Sequence, residues 1–201
     1  MPEIAGEFEI PIRQLKMLLD RGGVIGLATD TTYALVARIS SRDGVERLRE
    51  LRNLPPSKPL SVLLKDLTVI SRYAFIDRVS YRLMKSLIPG HYTFILRATK
   101  ELPRLMLTNQ RTVGVRICGL PLVDALCDAL DEPLVSASAV LPDNGGYAET
   151  AEQVADAYPA LAAVMDAGQK APEPSTVIDL TGPTPQILRE GSGRVDMVQL
   201  V

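Results

Sequence analysis

Between Pro11 and Asp20 apolar side chains recur at helical spacing. Ile12, Leu15, Leu18 and Leu19 share one face, Pro11 suits a first helical turn, and Gly22-Gly23 ends the run. Val24 to Thr29 is a short apolar run, the pattern of a buried strand, and Tyr33 to Ile39 is a second, rich in β-branched and aromatic residues. Arg42 to Asn53 returns to helical spacing, with Val45, Leu48 and Leu51 on one face among charges. Pro55-Pro56-Ser57-Lys58-Pro59 predicts a non-helical loop, because a residue before proline is pushed out of the α region.

Leu60 to Leu64 reads as a strand. Asp66 and Asp77 read as caps of two short helices ending near Ala74 and Leu87. Pro89-Gly90 turns the chain into a strand from Tyr92 to Arg97, and Thr112 to Ile117 is another. Leu122, Ala125, Leu126, Ala129 and Leu130 form a helix face, and Pro133 to Ser138 is a strand. Thr150 with Gln153 fits a capping box for a helix reaching Tyr158. Three strand-like runs follow: Ser175 to Leu180, Pro185 to Arg189 and Val195 to Leu200. Strands alternating with helices predict an α/β fold, and the adjacent strands near the end predict antiparallel pairs in a mixed sheet. No repeat or linker interrupts residues 1–201, so one domain is expected. Asp143-Asn144-Gly145-Gly146 is its most flexible stretch by composition.

Composition narrows the function. The chain has 201 residues, 46% apolar and 23% charged, enough to bury a core without staples. No apolar run reaches the roughly 18 residues of a membrane span. The first residues are acidic and lack the order of a signal peptide, so the cytosol is expected. Two cysteines, Cys118 and Cys127, and a single histidine, His91, make a zinc cage or a multi-histidine site unexpected. Aromatics are only 4%, so a stacking surface for single-stranded nucleic acid is poorly supplied.

A net charge of −2 hides an asymmetry. Arg42 to Arg116 carries 15 basic against 6 acidic side chains, and Ile117 to Val201 carries 3 against 13. Two readings stand. The basic third lines a cleft for anions, or it forms solvated helix faces paired with the acidic half.

Four segments hold candidate chemistry. Thr29-Asp30-Thr31-Thr32-Tyr33 packs hydroxyls at a strand-to-strand turn, as ligands for a polar substrate or as a plain turn. Arg52 and Lys58 flank a proline-stiffened loop suited to phosphate, or exposed to water. Arg116 sits on an otherwise apolar strand, where it must meet a carboxylate of a ligand or of the protein. Ser136 and Ser138 present hydroxyls on one face of a strand end. A Ser-His-Asp triad lacks any signal bringing His91 to these serines, and His91 reads as a strand residue. The glycines match neither the phosphate loop nor the dinucleotide fingerprint.

Taken in order, these segments resemble YrdC-like proteins, and in particular the YciO branch. The resemblance is carried by Thr29 to Tyr33, Arg52-Asn53-Leu54-Pro55 with Lys58-Pro59-Leu60, Pro89 to Leu96, Val113-Gly114-Val115-Arg116, Ser136-Ala137-Ser138, Pro174 to Leu180 and Ile187 to Gly191. It spans residues 10–195 and implies a twisted mixed sheet flanked by helices, with a concave basic face. It also implies a threonylcarbamoyl-adenylate synthase joining L-threonine, bicarbonate and ATP for adenosine 37 of tRNA, or a YciO-type protein binding double-stranded RNA or a nucleotide without turnover. By position, Thr31, Arg116, Ser136 and Ser175 would line a threonine pocket. Lys58, Thr112, Ser138 and Arg189 would line the ATP side with Arg52 near, magnesium accompanying the triphosphate. No side chain is expected to act as a nucleophile or a metal ligand, and partner proteins of tRNA modification would be implied.

This chain departs from the synthase pattern at three places. Their Lys-x-Arg is Arg52-Asn53-Leu54, their Ser-x-Asn is Ser136-Ala137-Ser138, and a histidine of one branch is Leu63. Each lost charge-assisted contact costs about 1.5–3 kcal/mol, which implies weakened or altered synthase activity. A ribulose-phosphate enzyme on a related fold would want acidic residues clustered around a histidine, which this sequence lacks.

Overall fold

The computed structural model describes residues 1–55, 58–106 and 110–196. Its frame is a mixed sheet. The strands are β1 (Glu3–Gly6), β2 (Ile25–Ala28), β3 (Tyr33–Arg38), β4 (Ser61–Leu63), β5 (Ala74–Phe75), β6 (Tyr92–Ala98), β7 (Thr112–Arg116), β8 (Leu134–Ser138), β9 (Ala163–Asp166), β10 (Thr176–Asp179) and β11 (Gln186–Arg189). They lie in the order β1-β9-β2-β3-β8-β4-β7-β6-β10-β11, with β5 against the end of β6. The expected antiparallel pair near the end of the chain is β10 with β11.

Among the described residues six α-helices flank it: α1 (Ile12–Asp20), α2 (Arg42–Leu51), α3 (Ile70–Tyr73), α4 (Arg78–Leu87), α5 (Pro121–Leu130) and α6 (Ala151–Ala157). The caps explain their starts. Ser41 accepts from the Gly44 N–H, Asp77 from Val79 and Ser80, and Thr150 from Gln153. The capping-box partner of Thr150 reaches back one residue further than usual, its Oε1 accepting from the Glu149 N–H. After α1, Gly22 takes φ +75, a conformation glycine adopts freely.

Three expectations are corrected. Asp66 does not cap a helix: its carboxylate closes a turn on the Thr68 N–H, and α3 begins later, at Ile70. β1, β9 and the two-residue β5 were not expected at all. Val195 and Asp196 lie in a turn rather than a strand, and Met197 to Leu200 fall outside the described residues.

The two faces of the sheet are covered unequally, and this makes the site. One face carries Leu35, Val62, Phe94, Leu96, Val113, Val115 and Val135 into a core closed by α2, α4 and α6. On the other, Ile25, Leu27, Val36, Leu63 and Leu134 pack under α1 and α5. Beyond that half, this second face is left open over β8, β4, β7, β6 and β10, where its side chains turn polar or small.

Candidate functional site

Register places the floor of the open face. Ser136 pairs with Ser61, Ser61 with Gly114, and Gly114 with Ile95, so these four stand side by side on one face. The floor is low because its side chains are small. A Cβ on Gly114 would come within 2.8 Å of the Ser61 hydroxyl. The result is a cavity of about 440 Å³.

Seven of the nine residues expected at the site line this cavity: Arg52, Lys58, Arg116, Ser136, Ser138, Ser175 and Arg189. Thr31 lies just beneath, 95% buried, its hydroxyl 2.7 Å from an Arg116 nitrogen. Thr112 stands at the other end of β7 and lines a neighbouring hollow with Arg97 and Arg111. His91 is outside the cavity, and its carbonyl accepts the Thr176 N–H. Of the departures from the synthase pattern, Leu54 lines the cavity and Leu63 is buried in the core under α5.

The cations are held by different means. Arg52 donates from Nε to the Ser138 carbonyl at 2.6 Å, and from a terminal nitrogen, Nη1, to the Val140 carbonyl and the Tyr158 hydroxyl. Arg189 donates to the Ser175 carbonyl at 2.7 and 3.2 Å, while Ser175 and Thr93 share a hydroxyl hydrogen bond of 2.7 Å. Neutral carbonyls orient these two guanidinium groups without cancelling their charge. Arg116 differs: it is ion-paired with Asp30. No carboxylate lines the cavity itself among the described residues.

Arg49 is a residue that sequence reasoning missed. Burial pulls its guanidinium below the ordinary arginine value. It donates to the Pro55 and Lys58 carbonyls at 3.1 and 3.0 Å and to the Leu105 carbonyl at 3.0 Å. It therefore fixes the backbone on both sides of residues 56–57 and anchors the residue that carries the Lys58 ammonium. On the sequence it sits among Arg47 and Glu50 and looks solvated; only the fold buries it. Ser61, Thr93, Gly114 and Tyr147 also line the cavity without having been expected there.

The basic third of the chain does both things its charge allowed. Arg52, Lys58 and Arg116 turn into the cleft. Arg78, Arg82 and Lys85 are exposed on α4, and Lys65 pairs with Asp128 of the acidic half.

The structure is thus an α/β protein whose mixed sheet leaves one face open as a cation- and hydroxyl-lined cleft, and the sequence assigns it to a family. Residues 17–191 match the Sua5_yciO_yrdC family, described as "Telomere recombination", and the chain belongs to that family. It is 39% identical over 186 residues to the uncharacterized protein YciO of Escherichia coli (strain K12), covering 92% of this chain and 90% of that one. The E. coli YciO crystal structure superposes with a TM-score of 0.87 over 93% of this chain and 92% of that chain, at 38% identity. The Homo sapiens threonylcarbamoyl-AMP synthase is 31% identical over 189 residues, 90% of this chain and 67% of that protein. The structure of P. abyssi Sua5 complexed with L-threonine has a TM-score of 0.84 at 26% identity, over 95% of this chain and 57% of that chain.

Proposed function

We propose that the cleft binds ATP and L-threonine and, with bicarbonate, forms threonylcarbamoyl-adenylate and pyrophosphate, at a rate reduced by the loss of a cation at Leu54. The observation that carries this reading is the convergence of Arg52, Lys58, Arg116 and Arg189 on one hydroxyl-floored cavity. The likeness to threonylcarbamoyl-AMP synthases supports the choice of substrates.

The chemistry suits such a site. The threonine nitrogen forms a bond to the bicarbonate carbon, water leaves, and a carbamate results. A carbamate oxygen then bonds to the α-phosphorus, and the bond to the bridging oxygen breaks, its electron pair leaving with pyrophosphate. Neither step needs a protein nucleophile. Both need anions held close against their repulsion, and the second needs charge neutralised on the departing pyrophosphate. In this reading Arg116, Thr31, Ser136 and Ser175 hold the threonine end, and Lys58, Ser138, Arg189, Thr112 and Arg52 hold the nucleotide. The ATP carries magnesium in. Among the described residues no three acidic, histidine or cysteine side chains gather to hold an ion, so the phosphate oxygens would be its ligands.

The protein would act in the cytoplasm and pass its product to tRNA-modifying partners. The test is incubation with ATP, bicarbonate and L-threonine, following pyrophosphate and the adenylate. Threonine-dependent pyrophosphate supports the reading, and its absence at high enzyme concentration rejects it. A second reading, nucleotide or double-stranded RNA binding without turnover, is favoured by Leu54 in the cleft wall and by Asp30 on Arg116. It requires binding that weakens steeply with salt.

A further inference from the structure

Among the described residues, the large apolar side chains left in solvent gather in two stretches of chain, residues 1–17 and 69–81, with Leu188 apart at the cleft. Exposed apolar side chains scattered singly need no explanation, but grouped ones rimmed by polar residues mark a contact surface. The two groups here are set in opposite charge.

The first group is acidic. β1 is the end strand of the sheet. Ile4 is 37% exposed on it, and Phe8 is 49% exposed in the turn that follows. Phe8 takes φ +67, a conformation that bulky side chains rarely adopt, and its ring stays in solvent. Glu3, Glu7 and Glu9 flank these two in the chain and are exposed. None of the three has a cation within ion-pair distance among the described residues.

The second group is basic. Phe75, 64% exposed on β5, walls a hollow with Lys100, Arg104 and Arg111. Ile76, the next residue, walls another with Arg78, Arg82 and Lys85 of α4. Spacings of four and three residues put these last three cations in one stripe of the helix. Val79 and Tyr81 are exposed on α4, whose ten residues include no acidic side chain. Asp77, which also lines the second hollow, is taken up in accepting the Val79 and Ser80 N–H groups. None of the six cations has a carboxylate within ion-pair distance among the described residues.

Position decides the partner. β5 lies on β6, and β6 is seven strand-to-strand steps from β1 across the sheet, roughly 34 Å. One molecule cannot bring its own two patches together. Glutamates without cations at one end and arginines and lysines without carboxylates at the other complete each other across two molecules. Apolar contact then supplies affinity, and charge fixes which patch meets which. We propose that this chain associates head to tail with copies of itself, the Ile4–Phe8 patch of one copy seated on the Phe75–Arg82 patch of the next. Such a contact is heterologous, so it builds a ring where the rotation closes and a filament where it does not.

Sedimentation velocity over a rising concentration series tests it, on wild type, Phe8→Gly and Arg82→Glu. Glycine suits the backbone at Phe8 and Arg82 is exposed, so both variants should keep the wild-type melting temperature. Glu7→Lys and Lys85→Glu test the same two patches by charge alone. Wild type is expected to grow beyond a monomer at low salt and to shift back towards it in about 1 M salt, where screening acts beyond about 3 Å. Each single variant should stay a monomer at concentrations where wild type associates. An equimolar mixture of Phe8→Gly and Arg82→Glu should form a one-to-one pair and stop there, because each supplies the patch the other lacks. A wild type that stays a monomer throughout, association that survives either substitution, or a mixture of the two variants that stays monomeric overturns the inference. A monomeric wild type whose binding of duplex RNA falls in Arg82→Glu overturns it too, and makes the basic patch a nucleic-acid surface.

Discussion

Arg116 and Asp30 meet across 86 positions of sequence, the guanidinium at the end of β7 bonded to a carboxylate in the β2–β3 turn. Their side chains are 8% and 11% exposed. Among the described residues, Arg116 Nε and the second Asp30 oxygen are buried without a hydrogen-bond partner. A carboxylate arriving at Arg116 thus finds it already neutralised. Asp30→Asn should release the charge and tighten L-threonine binding. It should also cost about 3–5 kcal/mol of stability, because it leaves an uncompensated buried cation. Arg116→Gln should lose threonine binding at a similar stability cost. Urea melts combined with threonine titrations separate the two outcomes. Unchanged stability in both variants would contradict the pairing.

Arg49 should act on ATP through Lys58. Arg49→Met removes three hydrogen bonds to carbonyls and frees the Lys58 backbone. ATP affinity is expected to fall roughly tenfold while threonine affinity holds, a split that general destabilisation would not produce. Arg49→Lys keeps the charge but lacks the planar fork, and should recover only part of the loss.

Much of this was legible along the chain, and what was missed has physical causes. α2 declares itself through its amphipathic spacing and α4 through its Asp77 cap, and β6, β7 and β8 through apolar runs. β9 (Ala163–Asp166) was missed because Ala-Val-Met-Asp, close behind a helix, is too short to show a period; its neighbours β1 and β2 make it a strand. β1 is an edge strand beginning Glu-Ile-Ala-Gly, with little β propensity of its own. The cleft residues were named from ordered motifs, yet the Asp30 partner of Arg116 was one of two open readings, because sequence gives no distance. Arg49 was invisible for the same reason. Its partners, Pro55, Lys58 and Leu105, include a segment 56 residues away.

The acid limb of stability should be sensitive to Asp77. The Ser80 backbone N–H above all, with the Ser80 hydroxyl and the Val79 N–H, holds its carboxyl below the usual value. A carboxylate whose pKa is depressed by folding stabilises above its unfolded pKa, about 3.9, and that contribution is lost as pH falls through the lower folded value. Asp77→Ala should cost about 1 kcal/mol near neutrality, the usual worth of such a cap. The gap to wild type should narrow progressively in melts taken at falling pH below the unfolded value, about 3.9. A gap independent of pH would contradict the cap.

Both thiols should be inert in the folded state. Burial pushes Cys118 and Cys127 up to about 12, so thiolate is scarce at pH 8. Iodoacetamide should label neither in the native protein and both in denaturant, read by intact mass. Rapid native labelling would show that the core around α5 opens.

The central claim is that one cleft grips a nucleotide with its convergent cations. Calorimetric titration of ATP into wild type and Arg52→Gln, with and without saturating L-threonine, tests it most directly. The account predicts one saturable site, tighter with threonine present and roughly tenfold weaker in the variant. ATP binding that is absent, or indifferent to Arg52, would contradict it.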